Sequence, residues 1–312
     1  MHLRTMMAAS SAMFCTLCAL GPSAWAQTPE VKQEFGKQEE VKQVVWKASA
    51  SAGFSISTGN ASVMTISGGA NISRNDGANK IAFSAKGLYG LTDLPVLNDL
   101  DGDKLVGSDA ELGSEPKTTA GLFLAALRYD RFFSKNNSGY ISLNGGLDYP
   151  ASKDFMGGGQ IGYARQIIST KMHLLSGELG YDLNYTRFRA PDPIPAMFQA
   201  DLLLHSGRIF MGYVLSVADH TTIEANLEAL INFNVAKIGD REVDPGVASR
   251  INGQLAFTTK VWKALSLRAA ASLRYNNAPG LTTAFPYKPD YANRYNQKLD
   301  TLTELALVVN FI

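Results

Sequence analysis

Eight charged residues recur at alternating positions in segments whose other alternating set is apolar. They are Glu178, Asp182, Glu224, Glu228, Arg250, Arg268, Arg274 and Glu304. Two carboxylates can work as general acid and base, but four residues along a strand separate Glu224 from Glu228 by about 13 Å. That is too far for both to act on one bond. The pattern therefore favours a charged lining over a catalytic pair, and we expect Arg268 to pair with Glu224 or Glu228.

Other catalytic and cofactor motifs are missing from the sequence. His173, His205 and His220 are widely spaced, with neither an H-E-x-x-H zinc motif nor a G-x-S-x-G nucleophile motif near them. The glycines at 157–159 precede neither a helix nor a Lys-Ser/Thr pair, so they do not form a phosphate loop, and close packing is their expected use. We expect no catalytic residue, no cofactor and no metal site. An enzyme with a site at the outer rim is the weakest alternative.

An acidic connection is expected at residues 92–117. Its segment Asp99-Leu100-Asp101-Gly102-Asp103 resembles a calcium loop, although Gly102 is misplaced and the closing glutamate is not at its spacing. A solvated loop is the preferred interpretation, and divalent-cation binding is left open.

The start of the chain has the pattern of an export signal. A weakly basic beginning and an apolar stretch lead to Ala24-Trp25-Ala26, an A-x-A cleavage site. We predict a signal peptide at 1–26 and a polar periplasmic leader at 27–44. Cleavage would remove both cysteines and Arg4, leaving 28 of the 29 Lys and Arg residues against 28 Asp and Glu residues. A net charge of zero argues against nucleic acid as a partner.

From Val45 onward the chain reads as strands. Trp46, Ala48 and Ala50 begin an apolar set that alternates with polar residues, and Thr58-Gly59-Asn60 then forms a turn motif. The alternation is weaker at 198–216, where we expect Gly207 to mark a bulge. Twelve strands are predicted, although ten is an alternative count. Their ranges are 45–57, 61–74, 80–91, 118–132, 138–149, 155–168, 171–186, 198–216, 222–236, 246–259, 264–276 and 299–312.

The connections between these strands differ in length according to whether they follow an odd-numbered or an even-numbered strand. Those after the even strands are short, whereas several after the odd strands are long, including 92–117 and 277–298. Short turns at one end and long loops at the other are typical of an outer-membrane barrel, whereas a Greek-key sandwich would not sort its loops in this way. We therefore predict an all-β, transmembrane antiparallel meander barrel at 45–312, with both termini in the periplasm.

Several motifs resemble one family, the salt-induced outer-membrane proteins, over roughly residues 40 to 312. They are the strand from Trp46 to Asn60, Tyr129-Asp130-Arg131-Phe132 with Ser134-Lys135-Asn136, and the glycine-rich run 157–163. The resemblance implies an exported β-barrel and supplies no catalytic residues. The apolar last strand, which includes Leu305 and Phe311, resembles the signal that the bacterial barrel-assembly machinery reads.

Two functions stay open at this stage. One is a narrow channel for small solutes, and the other is a structural or envelope-stress barrel with a plugged lumen. The expected partners are outer-membrane lipid and lipopolysaccharide, together with the assembly machinery acting on a last strand that closes the barrel. The oligomeric state does not follow from the sequence.

Overall fold

The computed structural model describes residues 44–58, 63–148, 153–189, 201–218, 220–238, 241–279 and 297–311. Twelve of its strands form one closed antiparallel barrel, which confirms the predicted fold class and strand count. The barrel strands are β1 (Val45–Thr58), β2 (Val63–Asn75), β3 (Asn79–Leu97), β4 (Leu112–Ser134), β5 (Asn137–Asp148), β6 (Lys153–Ser169), β7 (His173–Phe188), β8 (Asp201–Ala218), β9 (Thr221–Asn232), β12 (Arg250–Trp262), β13 (Leu265–Asn276) and β14 (Leu299–Asn310). A separate hairpin consists of β10 (Ala236–Ile238) and β11 (Arg241–Val243).

The last strand closes the barrel, as the sequence predicts. β14 pairs with β13 on one side and with β1 on the other, where Phe54 lies opposite Leu305. The expected signal peptide and nearly all of the polar leader lie outside the described residues. In the described part of the chain, no helix is long and apolar enough to cross a membrane.

The alternation of side chains separates a polar interior from an apolar outer surface. On β1, Ser55 is 1% exposed whereas its neighbours Phe54 and Ile56 are 43% and 45% exposed. Ile66 on β2 is 72% exposed, while Arg208 on β8 is among the largest fully buried side chains. Soluble proteins rarely present continuous apolar surface of this kind. The arrangement is the one expected of strands with lipid outside and polar groups inside.

The two ends of the barrel have connections of different length. One end carries the short turns 76–78, 135–136, 170–172, 219–220 and 263–264. The other end carries the connections 59–62, 98–111, 149–152, 189–200, 233–249 and 277–298. We call these the short-turn end and the long-loop end.

Two expected connections are more ordered than predicted. The connection placed at 92–117 is wrong in extent, because β3 continues to Leu97, β4 begins at Leu112 and these two residues pair. The backbone pairing of β3 with β4 continues past the residues that alternate between apolar and polar. A hairpin that extends beyond the apolar outer surface needs no apolar face there. The connection between the predicted strands 222–236 and 246–259 holds most of the β10–β11 hairpin, whose Ala236 and Val243 pack on Leu204 of β8.

The bulge expected at Gly207 is also wrong. Gly207 pairs in continuous register with Tyr181 and Ile231, and the irregularity in β8 lies between Ser216 and Ala218. The alternation in β8 is weak for a different reason. Its inner face carries Phe210, whose ring centroid lies 4.9 Å from the Arg208 guanidinium, so both faces hold apolar residues although the register does not shift at Gly207.

Candidate functional site in the barrel interior

Charged side chains of strands that are not neighbours meet inside the barrel. Arg128 on β4 donates from Nη2 to Glu178 Oε1 on β7 at 2.8 Å, and from Nη1 to Oε2 at 3.1 Å. Strands β5 and β6 separate these residues in the sheet order. Buried side chains from such strands can meet only through the interior, so these contacts define the inward face.

A chain of ion pairs continues from this contact. Arg208 donates to Glu178 at 2.6 Å and also bonds Glu228, while Arg128 donates to Asp130 at 2.8 Å. We call Arg128, Asp130, Glu178, Arg208 and Glu228 the charged ladder. The Arg208 and Glu178 side chains are 0% and 1% exposed. Buried charges are tolerated when each is paired and hydrogen-bonded in this way.

Tyr140 on β5 contacts both arginines of the charged ladder. Its hydroxyl accepts a hydrogen bond from Arg208 Nη1 at 2.8 Å, and the Arg128 guanidinium lies 4.2 Å from its ring centroid. The tyrosine reaches across β6 and β7 at Gly162 and Gly180. A Cβ atom at these glycines would lie 2.8 Å and 2.6 Å from the tyrosine hydroxyl. The absence of side chains at these two positions is therefore what gives the tyrosine room.

A second polar layer lies closer to the long-loop end. Asp182 on β7 accepts from Gln160 Nε2 at 2.9 Å and from Arg250 Nη2 on β12 at 3.3 Å. Lys153 lies within electrostatic range of Asp148, Asp300, Arg250 and Arg274. Because β6 and β13 are on well-separated parts of the wall, this layer also crosses the interior.

A third contact joins β3 to β14 over β1 and β2. Lys86 Nζ forms an ion pair with Glu304, and Ser67 Oγ donates to the same carboxylate at 3.3 Å. The two charged side chains are 18% and 11% exposed, so this pair is wetter than the charged ladder.

Arg268 has a different environment from the one expected. Glu228 bonds Arg208 and accepts from Asn252 Nδ2 at 2.9 Å, while Arg268 Nη2 donates to Gln254 Oε1 at 3.3 Å. Glu228 thus contacts Arg208 and Asn252, and the pairing of Arg268 with Glu224, the other expected partner, stays a prediction. Arg208 is favoured because its strand β8 adjoins β9, whereas β12 lies between Arg268 and Glu228.

The other residues expected in the lining fall into the groups just described. Glu178 and Glu228 are in the charged ladder, Asp182, Arg250 and Arg274 are in the second layer, and Glu304 pairs with Lys86. Glu224 lies four positions before Glu228 in β9, so both residues are on the same face of this strand.

The sequence analysis missed several interior residues of the charged ladder and the contacts beside it. They are Lys86, Arg128, Asp130, Tyr140 and Arg208. A signal was present for Arg128 and Asp130, because they alternate with Leu127 and Tyr129 of the apolar set. The blurred alternation in β8 concealed Arg208.

The acidic segment lies in the connection 98–111. One carboxylate oxygen from each of Asp99, Asp101 and Asp103 falls within a 4.8 Å group, and all three residues are exposed. Asp99 accepts from the Gly102 amide at 2.9 Å, and Asp103 accepts from the Leu105 amide at 2.8 Å. These bonds shape a turn. Of the predicted turn motif, Thr58 ends β1, while Gly59 and Asn60 lie outside the described residues.

A family model described as "Protein of unknown function, DUF481" matches residues 50–311, which include nearly the whole barrel. The chain belongs to this family. No curated protein matches the chain.

Several solved structures are similar in fold. The NanC porin covers 84% of this chain with all of its own length, at 8% identity and a TM-score of 0.47. An outer membrane channel from Pseudomonas putida F1 covers 90% with all of its length, at 11% identity and a TM-score of 0.48. The KdgM porin covers 85% with 99% of its length, at 10% identity and a TM-score of 0.42.

Proposed function

We propose that this DUF481 protein is an outer-membrane barrel with a narrow passage for small solutes. The observation that supports the proposal is that apolar side chains lie on the outside of the barrel and charged side chains on the inside, the reverse of a soluble protein. Large apolar side chains such as Ile66 and Leu179 are 72% and 60% exposed on the outside, while Arg208 and Asp130 are buried inside. Water could not stabilise such an outer surface, but hydrocarbon would, and closure leaves the barrel without an unpaired strand edge.

The passage is narrow because side chains fill much of the interior. The charged ladder occupies the side formed by β4 to β9, and the pair of Lys86 with Glu304 crosses in front of β1 and β2. Neither group includes a residue of β12 or β13, so we propose that the open space lies in front of these two strands. Such a space would admit small solutes and exclude large ones.

The orientation follows from the two kinds of connection. The short turns would lie in the periplasm and the long loops outside the cell, as in bacterial barrels generally. With twelve strands, both termini would then be periplasmic. Phospholipid and lipopolysaccharide would cover the apolar band, and the assembly machinery would recognise β14, which carries the exposed Leu305 and Leu307.

A barrel with a plugged lumen is the second candidate. The near-complete burial of the charged ladder favours it, because water does not reach these side chains from either mouth. We propose no catalytic role, since the carboxylates of Glu178, Asp182 and Glu228 accept hydrogen bonds from arginines or amides. Whether salt raises the amount of the protein, as the family resemblance suggests, can be measured by immunoblotting cells grown over a range of salt concentrations.

Fractionation and liposome swelling test the proposed function. The protein should sediment with outer membranes and run as a heat-modifiable band on gels. Liposomes that contain it should swell in small sugars or amino acids and should not swell in oligosaccharides. Recovery in the soluble periplasmic fraction would contradict the location, and absence of swelling in every solute would favour the plugged barrel.

A further inference from the structure

The inner faces of β12 and β13 differ from the rest of the interior in charge. Their inward set contains Ala256 and Ala270, both buried, and alternates with exposed apolar residues such as Leu255 and Phe257. The inward residues of β12 are Arg250, Asn252, Gln254, Ala256, Thr258 and Lys260, and those of β13 are Ser266, Arg268, Ala270, Ser272, Arg274 and Asn276. Four of them are cations and none is an acid.

These cations are spread over the full length of the strand pair. Arg250 and Arg274 lie towards the long-loop end, where Arg250 pairs with Asn276 and Arg274 with Asn252. Arg268 lies nearer the other end, opposite Thr258, and Lys260 is opposite Ser266 beside the short turn. A positive strip therefore runs from one mouth of the barrel to the other. We call it the β12–β13 track.

Arg268 differs from Arg250 in its hydrogen-bond partners, although the strands that flank the track carry Glu224 on β9 and Glu304 on β14. Arg250 has the carboxylate of Asp182, but the hydrogen bond of Arg268 goes to the neutral amide of Gln254 at 3.3 Å. Its Nε is buried and has no hydrogen-bond partner among the described residues. A buried guanidinium N–H without a hydrogen-bond partner is unfavourable, and an anion that accepts a hydrogen bond from it would relieve that cost.

We propose that the β12–β13 track conducts small anions and that Arg268 sets this selectivity. The proposal rests on the proposed passage and names its solute class. The track lies between β9, which carries Glu228 of the charged ladder, and β14, which carries Glu304. Anions would pass along the track from Arg250 and Arg274 to Arg268 and then to Lys260. An anion that leaves one cation would thus meet the next one along the track.

Reversal potentials in a potassium chloride gradient test the proposal. The wild-type barrel in a planar bilayer should favour chloride over potassium. Arg268→Ala should lower this preference several-fold, whereas Arg165→Ala, which removes an exposed outward-facing cation of β6, should leave it unchanged. A conducting barrel that favours potassium, or that is indifferent to Arg268, would overturn the track and leave the proposed passage intact.

A labelling experiment tests the track even if the barrel carries no current. The absence of current would itself count against the proposed passage. Thr258→Cys puts a thiol directly opposite Arg268. The anionic reagent sulfonatoethyl methanethiosulfonate should modify it about fivefold or more faster than the cationic trimethylammonioethyl analogue. That is the factor a unit charge about 4 Å away gives in bulk water. Adding Arg268→Ala should bring the two rates together. Equal rates with Arg268 present would overturn the track.

Discussion

Arg128 on β4 and Glu178 on β7 hold each other in a bidentate contact across the barrel interior, with Nη2 and Oε1 2.8 Å apart. The same carboxylate also accepts from Arg208 on β8. One glutamate therefore connects β4, β7 and β8 through the interior. Because the side chains involved are no more than 7% exposed, removing one partner would leave a buried charge unpaired.

Glu178→Gln should destabilise the barrel strongly. It leaves two buried arginines around a neutral amide, and breaking one side of a buried ion pair costs about 3–5 kcal/mol. The temperature at which the heat-modifiable band converts to the unfolded form would measure the loss. Glu304→Gln is the matched control, since its partner Lys86 is 18% exposed and water can replace the contact. Equal losses in the two variants would mean that the charged ladder is not dry.

Gly180→Ala should destabilise the barrel because its methyl group would lie 2.6 Å from the Tyr140 hydroxyl and 2.7 Å from the Ile161 carbonyl oxygen. Gly68→Ala is the control, because a Cβ there meets no atom within 4 Å. The loss caused by Gly180→Ala should be smaller in a Tyr140→Phe background, which removes one of the two clashes. Additive losses in thermal unfolding would show that Tyr140 does not lie over this glycine.

Asp76 in the turn between β2 and β3 should make stability depend on pH. The Asn79 amide donates to its carboxylate at 2.7 Å, and with the other hydrogen bonds this lowers the pKa of Asp76 below its usual 3.8. A lowered folded-state pKa stabilises the fold above the unfolded-state pKa, and the gain is lost as the pH falls below it. Asp76→Asn should therefore flatten the unfolding profile below about pH 4.

The orientation can be read by labelling whole cells. A cysteine at Ser108, in the connection 98–111, should react with an impermeant thiol reagent, and one at Asn136, in a short turn, should not. The physical reason is that an intact outer membrane shields the periplasmic side. Labelling at Asn136 alone would reverse the orientation and place the long loops in the periplasm.

The sequence predicted the barrel well because lipid outside and polar groups inside impose a period of two on every strand. Ser55 between Phe54 and Ile56 is an example of a position that alternation alone assigns. The partners of the charges were less predictable. Arg268 and Glu228 share the interior, but the adjacent strand brings Arg208 closer, and strand register does not appear in the sequence. The requirement for glycine at positions 162 and 180 could not be predicted either, because it comes from Tyr140 on another strand.

Single-channel recording in planar bilayers tests the central claim most directly. The purified barrel should give small, discrete current steps. A Glu178→Ser and Arg208→Ser double variant, which removes opposite charges together, should give larger steps if it folds, because the charged ladder narrows the lumen. A wild-type barrel that inserts, as judged by its heat-modifiable band, yet carries no current above the bare bilayer would contradict a narrow passage and identify a plugged barrel.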